Sequence, residues 1–365
     1  MYPFGFFRIN WSANLLLAGI VCLLQIWAAL AHPLRAQQEP QFTQYMFNSL
    51  VYNPGYAGSK GYMSAVALYR DQWFGWGNGG SYDGRPVTQT FSIHSPVNKR
   101  IALGVNVVND RIGAHKSTLA NLNYAYRVPF GKGIMSIGLL AGAMNWRADW
   151  DELDFKDARE LDAAFDGKNP NVWLPDFGAG IYYATPNFYT GVSVPHLVHF
   201  DLREVSASER ESIRKWAGTY RHFYLTMGGA LPLDKGNIIF KPSILIKSVG
   251  FFNDFFKQGN IVREVGAPTS FDLDASLLFM EKFWVGASFR SAFAAFTERA
   301  NSAKRSSYDS FDIWTSFLMK NGLRIGLAYD YPLTQIRAYT SGSFEVMLGY
   351  DFYKEVERVN SPRYF

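Results

Sequence analysis

The chain has 365 residues, 48% apolar and 17% aromatic, which is enough for two soluble domains or one large barrel. Its formal charge of +5 is small and spread along the chain, so it carries no nucleic-acid footprint. The single cysteine, Cys22, lies in the amino-terminal apolar run, so the chain beyond it has no disulfide, cysteine metal site or cysteine nucleophile.

Residues 1–36 read as a secretory signal peptide: Arg8 supplies the positive start, Leu15 to Ala31 the apolar run, and Leu34-Arg35-Ala36 a cleavage point before Gln37. An uncleaved anchor is the competing reading. No apolar run of ~20 residues follows, so the remainder has no transmembrane helix. Residues 37–61 are aromatic without a clean period and end in the turn chemistry of Asn53-Pro54-Gly55 and Ala57-Gly58. They read as a periplasmic leader or partial plug, packed at the inner-side mouth of a barrel or just inside it.

From residue 62 the pattern changes to period two. Strand candidates are 62–70, 87–95, 101–108, 121–128, 135–145, 177–183, 188–194, 223–231, 238–247, 271–279, 283–289, 311–318, 323–330 and 342–352. The last is the clearest: Phe344, Val346, Leu348, Tyr350 and Phe352 alternate with Ser343, Glu345, Met347, Gly349 and Asp351. Pro242 breaks the 238–247 candidate on its apolar face and predicts a bulge. Charges fall opposite the aromatics, at Asp272, Asp274, Asp312, Arg324, Asp330, Glu345 and Asp351. A lipid-facing Lys or Arg at midplane would cost roughly 2–4 kcal/mol. Connections after even-numbered strands are short and those after odd-numbered strands are long. That parity predicts an all-β outer-membrane antiparallel β-barrel of about 14 strands, with short periplasmic turns and long extracellular loops. Residues 62–352 are then the transmembrane barrel and 353–365 a periplasmic tail.

Gln41-Phe42-Thr43-Gln44-Tyr45-Met46-Phe47-Asn48, then Asn53-Pro54-Gly55-Tyr56-Ala57-Gly58, resembles the opening of the PorP/SprF family of type IX secretion system membrane proteins. The likeness continues through Tyr69-Arg70-Asp71-Gln72-Trp73, Gly104, Asp110-Arg111-Ile112-Gly113 and Asn123-Tyr124-Ala125-Tyr126-Arg127. It is strong over residues 41–145, and the terminal Ser361-Pro362-Arg363-Tyr364-Phe365 is also similar. The resemblance implies an outer-membrane component supporting export or surface attachment of large proteins, including gliding adhesins. It implies other secretion components as partners on the periplasmic side and a secreted surface protein on the outer side. The alternative is an outer-membrane channel for small or hydrophobic solutes.

No catalytic constellation, cofactor motif or metal set stands out. His196 and His199 form a loose pair without a third ligand, and His94, His115 and His222 are isolated. Asp149 to Asp154 is acidic but lacks the ordered pattern of a calcium loop, so it reads as a solvated loop. Glu204–Lys215 suits a short exposed helix. Candidate partner contacts are Trp73, Phe74 and Trp76 in the first outer loop and Trp146 and Trp150 in the third, with a membrane-surface girdle as their other reading. The candidate lumen network is Asp272, Asp274, Arg290, Arg324, Asp330 and Glu345, with Asp272 or Asp274 pairing with Arg290 or Arg324.

Overall fold

The computed structural model describes residues 40–76, 84–152, 169–198, 221–233, 237–249, 269–292 and 308–352. The signal segment, the charged helix read at Glu204–Lys215, His199 and the tail 353–365 lie outside the described residues.

The strands are β1 (Met63–Asp71), β2 (Val87–Pro96), β3 (Ile101–Ile112), β4 (His115–Phe130), β5 (Gly133–Ala148), β6 (Asn171–Ala184), β7 (Phe188–Val194), β8 (His222–Gly229), β9 (Leu231–Leu233), β10 (Ile238–Val249), β11 (Ser270–Phe279), β12 (Phe283–Ala292), β13 (Ser310–Leu318), β14 (Leu323–Pro332) and β15 (Ser343–Phe352). All pair antiparallel, and β15 returns to β1 from Met63↔Phe352 to Asp71↔Phe344, which closes the sheet. Closure gives each strand a neighbour on both sides, the condition for a sheet in hydrocarbon. The segments β8 and β9 meet β10 in one unshifted register, Ser243↔Gly228 and Phe240↔Leu231. They form one strand interrupted at Ala230, and the result is a 14-stranded antiparallel barrel.

Two expectations change. No bulge forms at Pro242: the register stays constant on both sides of it, and pairing with the neighbour simply lapses there. Ala230 N–H instead donates to Asn187 O at 2.9 Å. The short and long connections also do not alternate strictly. Residues 109–120, read as a long connection, are strand, and Gly113-Ala114 alone turns β3 into β4. Gly113 takes φ 60 there, a conformation open to glycine at no steric cost. The hairpin stays paired because Asn109–Ile112 and His115–Thr118 keep register with each other and with their outer neighbours.

The outer wall is the apolar set: Phe91, Leu103, Leu122, Ile137, Leu139, Phe177, Ile181, Leu273, Ile313, Leu327 and Leu348 are all exposed. The charges named above are all buried on the opposite face. That inner face is not polar throughout. Val66, Leu68, Ile239, Leu245, Leu278, Trp284, Trp314 and Met347 also point inward and are buried. They pack on a segment that precedes β1.

Candidate functional site

Residues 40–61 occupy the lumen. Three short 3-10 turns, Tyr45–Phe47, Ser49–Val51 and Pro54–Tyr56, fold the segment so that successive side chains reach different walls. Phe47 packs with Val66, Trp284, Trp314 and Met347. Leu50 and Tyr56 pack with Ala102, Ala125, Tyr182 and Tyr189. Phe42, Tyr45 and Tyr52 pack with Leu68, Tyr224 and Leu245. Full burial of such side chains is worth about 1.5–3 kcal/mol each. This explains the aromatic run without a period: it is the core of a small irregular body whose partners are barrel strands.

The segment does not stop at the mouth. At one end Lys60 Nζ lies 3.0 Å from Asp351 Oδ1, near the turn-side end of β15. At the other, Thr43 N–H donates to Glu345 Oε2 at 2.8 Å and Gln44 N–H to Glu345 Oε1 at 2.7 Å, near the loop-side end of the same strand. Glu345 and Asp351 are six steps apart along the strand, about 20 Å. The leader therefore runs most of the height of the barrel.

Its first half is held by ions. Arg70 pairs with Asp330 and lies 3.3 Å from Glu345. Arg70 Nη1 donates to Thr43 Oγ1 at 3.1 Å, and that hydroxyl donates to Asp330 Oδ1 at 2.6 Å. Arg290 Nε donates to Asp272 Oδ1 at 2.8 Å, and the same guanidinium lies 3.5 Å from Asp330 and 3.6 Å from Asp312. Lys247 Nζ takes the other Asp272 oxygen at 2.8 Å, and Arg290 Nη2 donates to Phe42 O at 3.3 Å. Seven strands converge on this knot. It brings together Asp272, Arg290, Asp330 and Glu345 of the sequence candidates. Arg324 and Asp274 stand apart from it. Arg324 Nη2 lies 3.7 Å from Asp351 at the turn-side end, and Asp274 accepts from Ser288 Oγ and Trp314 Nε1, both at 2.7 Å. Sequence reasoning missed Arg70, Lys247 and the two leader amides as members. Lys247 falls opposite the apolar residues of its strand and Arg70 on the buried face of β1, but nothing local says which acids they meet.

The second half, apart from the Lys60–Asp351 pair at its end, is held by close approach. Asn53 Nδ2 donates to the backbone carbonyls of Ile181 at 3.0 Å and Val192 at 3.4 Å, while its Oδ1 accepts from Gly55 N–H at 2.8 Å. Below it lie Gly138, Gly180 and Gly191 on three adjacent strands. A Cβ at Gly138 would strike the Pro54-Gly55 backbone, and one at Gly180 or Gly191 would strike the Asn53 amide. The glycines are a floor cut to the shape of the Asn-Pro-Gly turn. Asn48 Nδ2 donates to Thr90 Oγ1 at 2.8 Å, and Gly58 N–H donates to His94 Nδ1 at 3.1 Å.

The aromatic candidates form two groups at the loop-side end. Trp73, at φ 61, turns the chain so that its ring lies 5.2 Å from that of Trp76. Phe74 zips the first loop to the last: its N–H donates to Gly342 O at 2.7 Å, its O accepts from Ser341 N–H at 2.8 Å, and its ring meets Phe344 at 5.5 Å. Trp146 and Trp150 clasp His115, both with centroids at 5.4 Å. Burial between them lowers the His115 pKa from its ordinary 6.5. The acids beside them are engaged: Lys116 reaches Glu152 at 2.6 Å and Asp149 at 3.6 Å, and Asn169 Nδ2 donates to Asp149 and Asp151. Among the described residues no group of His, Cys, Asp and Glu is arranged to hold a metal ion. Of the loose histidine pair, His196 places its Nδ1 2.7 Å from Asp176 Oδ1, with the His222 ring 5.9 Å away.

The chain is similar in fold to solved outer-membrane barrels. Omp33 of Acinetobacter baumannii aligns at 11% identity over 80% of this chain and 98% of that one, TM-score 0.41. BamA of Haemophilus ducreyi lacking POTRA domains 1–3 aligns at 10% over 80% and 70%, TM-score 0.39. A Pseudomonas aeruginosa FadL homologue aligns at 13% over 80% and 90%, TM-score 0.39. No curated protein matches the chain. Residues 34–350 match the family model described as type IX secretion system membrane protein PorP/SprF. With a closed outer-membrane barrel and a match over most of its length, the chain belongs to the PorP/SprF family of type IX secretion system membrane proteins.

Proposed function

We propose that this outer-membrane barrel supports protein export as a closed anchoring platform and does not pass cargo through its own lumen. The observation that carries the reading is the leader, buried along most of the lumen and pinned at both ends. Its termini-bearing rim, where β1 begins and β15 ends, faces the periplasm, as bacterial barrels of even strand number keep both ends inside. That rim meets other secretion components. The loop-side end, with Trp73, Trp76, Trp146 and Trp150, meets an exported surface protein such as an adhesin. Phe74 serves the fold there, as a bridge between two loops.

The test is purification from membranes followed by planar-bilayer recording. A silent bilayer together with co-purification of other secretion components supports the reading. Solute-dependent conductance of the intact chain overturns it in favour of the channel. Trp76→Ala should reduce capture of the surface protein several-fold and leave the periplasmic partners bound.

A further inference from the structure

The lumen is not completely filled. A cavity of about 50 Å³ lies toward the rim where β1 begins, bounded by the leader (Phe47, Tyr56, Lys60) and the barrel wall (Lys241, Trp284, Arg324). One water needs ~10–15 Å³, so the space suits a group of a few heavy atoms. Its chemistry is cationic and aromatic. Lys241 Nζ stands 3.8 Å over the Trp284 ring. The Arg324 guanidinium stands 4.9 Å over Phe47 and 5.2 Å over Trp284. Two acids are close and engaged: Asp351 accepts from Lys60 Nζ at 3.0 Å and Ser64 Oγ at 2.7 Å, with its other oxygen 3.7 Å from Arg324 Nη2, and Asp274, which lines the cavity, accepts from Ser288 and Trp314. Two donors on the cavity wall, Arg324 Nη1 and Trp284 Nε1, are buried with no acceptor among the described residues. A buried donor left in that state is costly, more so when it is charged.

We propose that this cavity binds a carboxylate, accepting from Arg324 Nη1 and Trp284 Nε1 beside the Lys241 ammonium. A carboxylate offers two planar oxygens, which match an arginine fork better than a neutral amide does. The same chemistry comes from a free organic acid or from an Asp or Glu side chain of a protein entering through the rim.

The experiment uses the full chain in detergent, with propionate and propionamide as probes and tryptophan fluorescence with calorimetry as readouts. Saturable binding of propionate is expected, at least tenfold tighter than propionamide and weakened by salt. Arg324→Gln should weaken it at least tenfold and Arg324→Lys should restore part of the loss. Lys241→Gln should weaken it several-fold. Lys116→Gln, on the distant hairpin tip, should change nothing. Because Arg324 also touches Asp351, folding of each variant is checked by its heat-dependent gel mobility, and Lys241→Gln stands as the independent variant. Equal affinity for propionate and propionamide, or unchanged affinity in folded Arg324→Gln and Lys241→Gln, overturns the proposal. A short peptide carrying one glutamate, compared with its glutamine twin, separates the sources. Displacement of the peptide by propionate assigns a protein side chain, and propionate binding without peptide binding assigns a free acid.

Discussion

The two halves of the lumen hold the same leader by opposite means. The wall from β10 round to β1 presents long charged side chains, and residues 42–44 are caught by Glu345, Arg70 and Arg290 acting at a distance from their strands. The wall from β5 to β7 does the reverse: it removes side chains, so that Asn53-Pro54-Gly55 lies directly on backbone. An ionic anchor tolerates small shifts but collapses if one charge goes, because the remainder is buried and uncompensated. A glycine floor has no charge to lose, but a single added methyl lifts the segment off it.

That contrast can be broken first at Arg70. Arg70→Met leaves Glu345 and Asp330 without their nearest cation and should cost about 3–5 kcal/mol, read as a fall in the midpoint of thermal unfolding. The loss should be local to residues 42–47. In a Cys22→Ser background, a cysteine placed at Gln44 should become labelled while one at Leu50 stays protected; equal labelling of both would erase the distinction between the halves. Next is the floor. Gly138→Val should cost about 1–3 kcal/mol by overpacking and should expose the Leu50 position while sparing the Gln44 position, the converse pattern. Asn53→Ala is milder, about 1–2 kcal/mol, since it removes one side chain's hydrogen bonds to Ile181 O, Val192 O and Gly55 N–H without overpacking the floor.

The smallest effect lies outside the lumen, at His115. Its folded pKa lies below the ordinary 6.5, so the neutral ring is the one that fits between Trp146 and Trp150. The unfolded or released ring binds a proton more readily, so the stability of this clasp is full above about pH 6.5 and falls as pH drops below it. Tryptophan emission should shift toward the solvent value on acidification, and His115→Phe should flatten that response.

The barrel wall was legible because lipid imposes a one-residue rule. Each of the predicted strands exists, and Leu122, Tyr124 and Tyr126 face out while Asn121, Asn123 and Arg127 face in. The hairpin of β3 and β4 was under-read because its upper rows, Asn109 to Thr118, lack that alternation and are paired by strand neighbours alone. The candidate site was only half legible. Asp272, Arg290, Asp330 and Glu345 announced themselves as charges on an inner face, but their assignment to one knot needs seven strands set in register.

What the chain order alone decided is therefore the surface: which residues meet lipid, how many strands cross, and that charge must hide inside. These follow from local alternation and from the cost of ions in hydrocarbon. What filled the interior was decided only by closure. The inward Val66, Leu68 and Met347 read as exceptions to a polar face until the leader lies against them, and Gly138 and Gly180 read as gaps until Asn53 sits above them. Residues far apart in sequence became one core because curling the sheet brought opposite walls within reach of a segment that has no regular structure of its own.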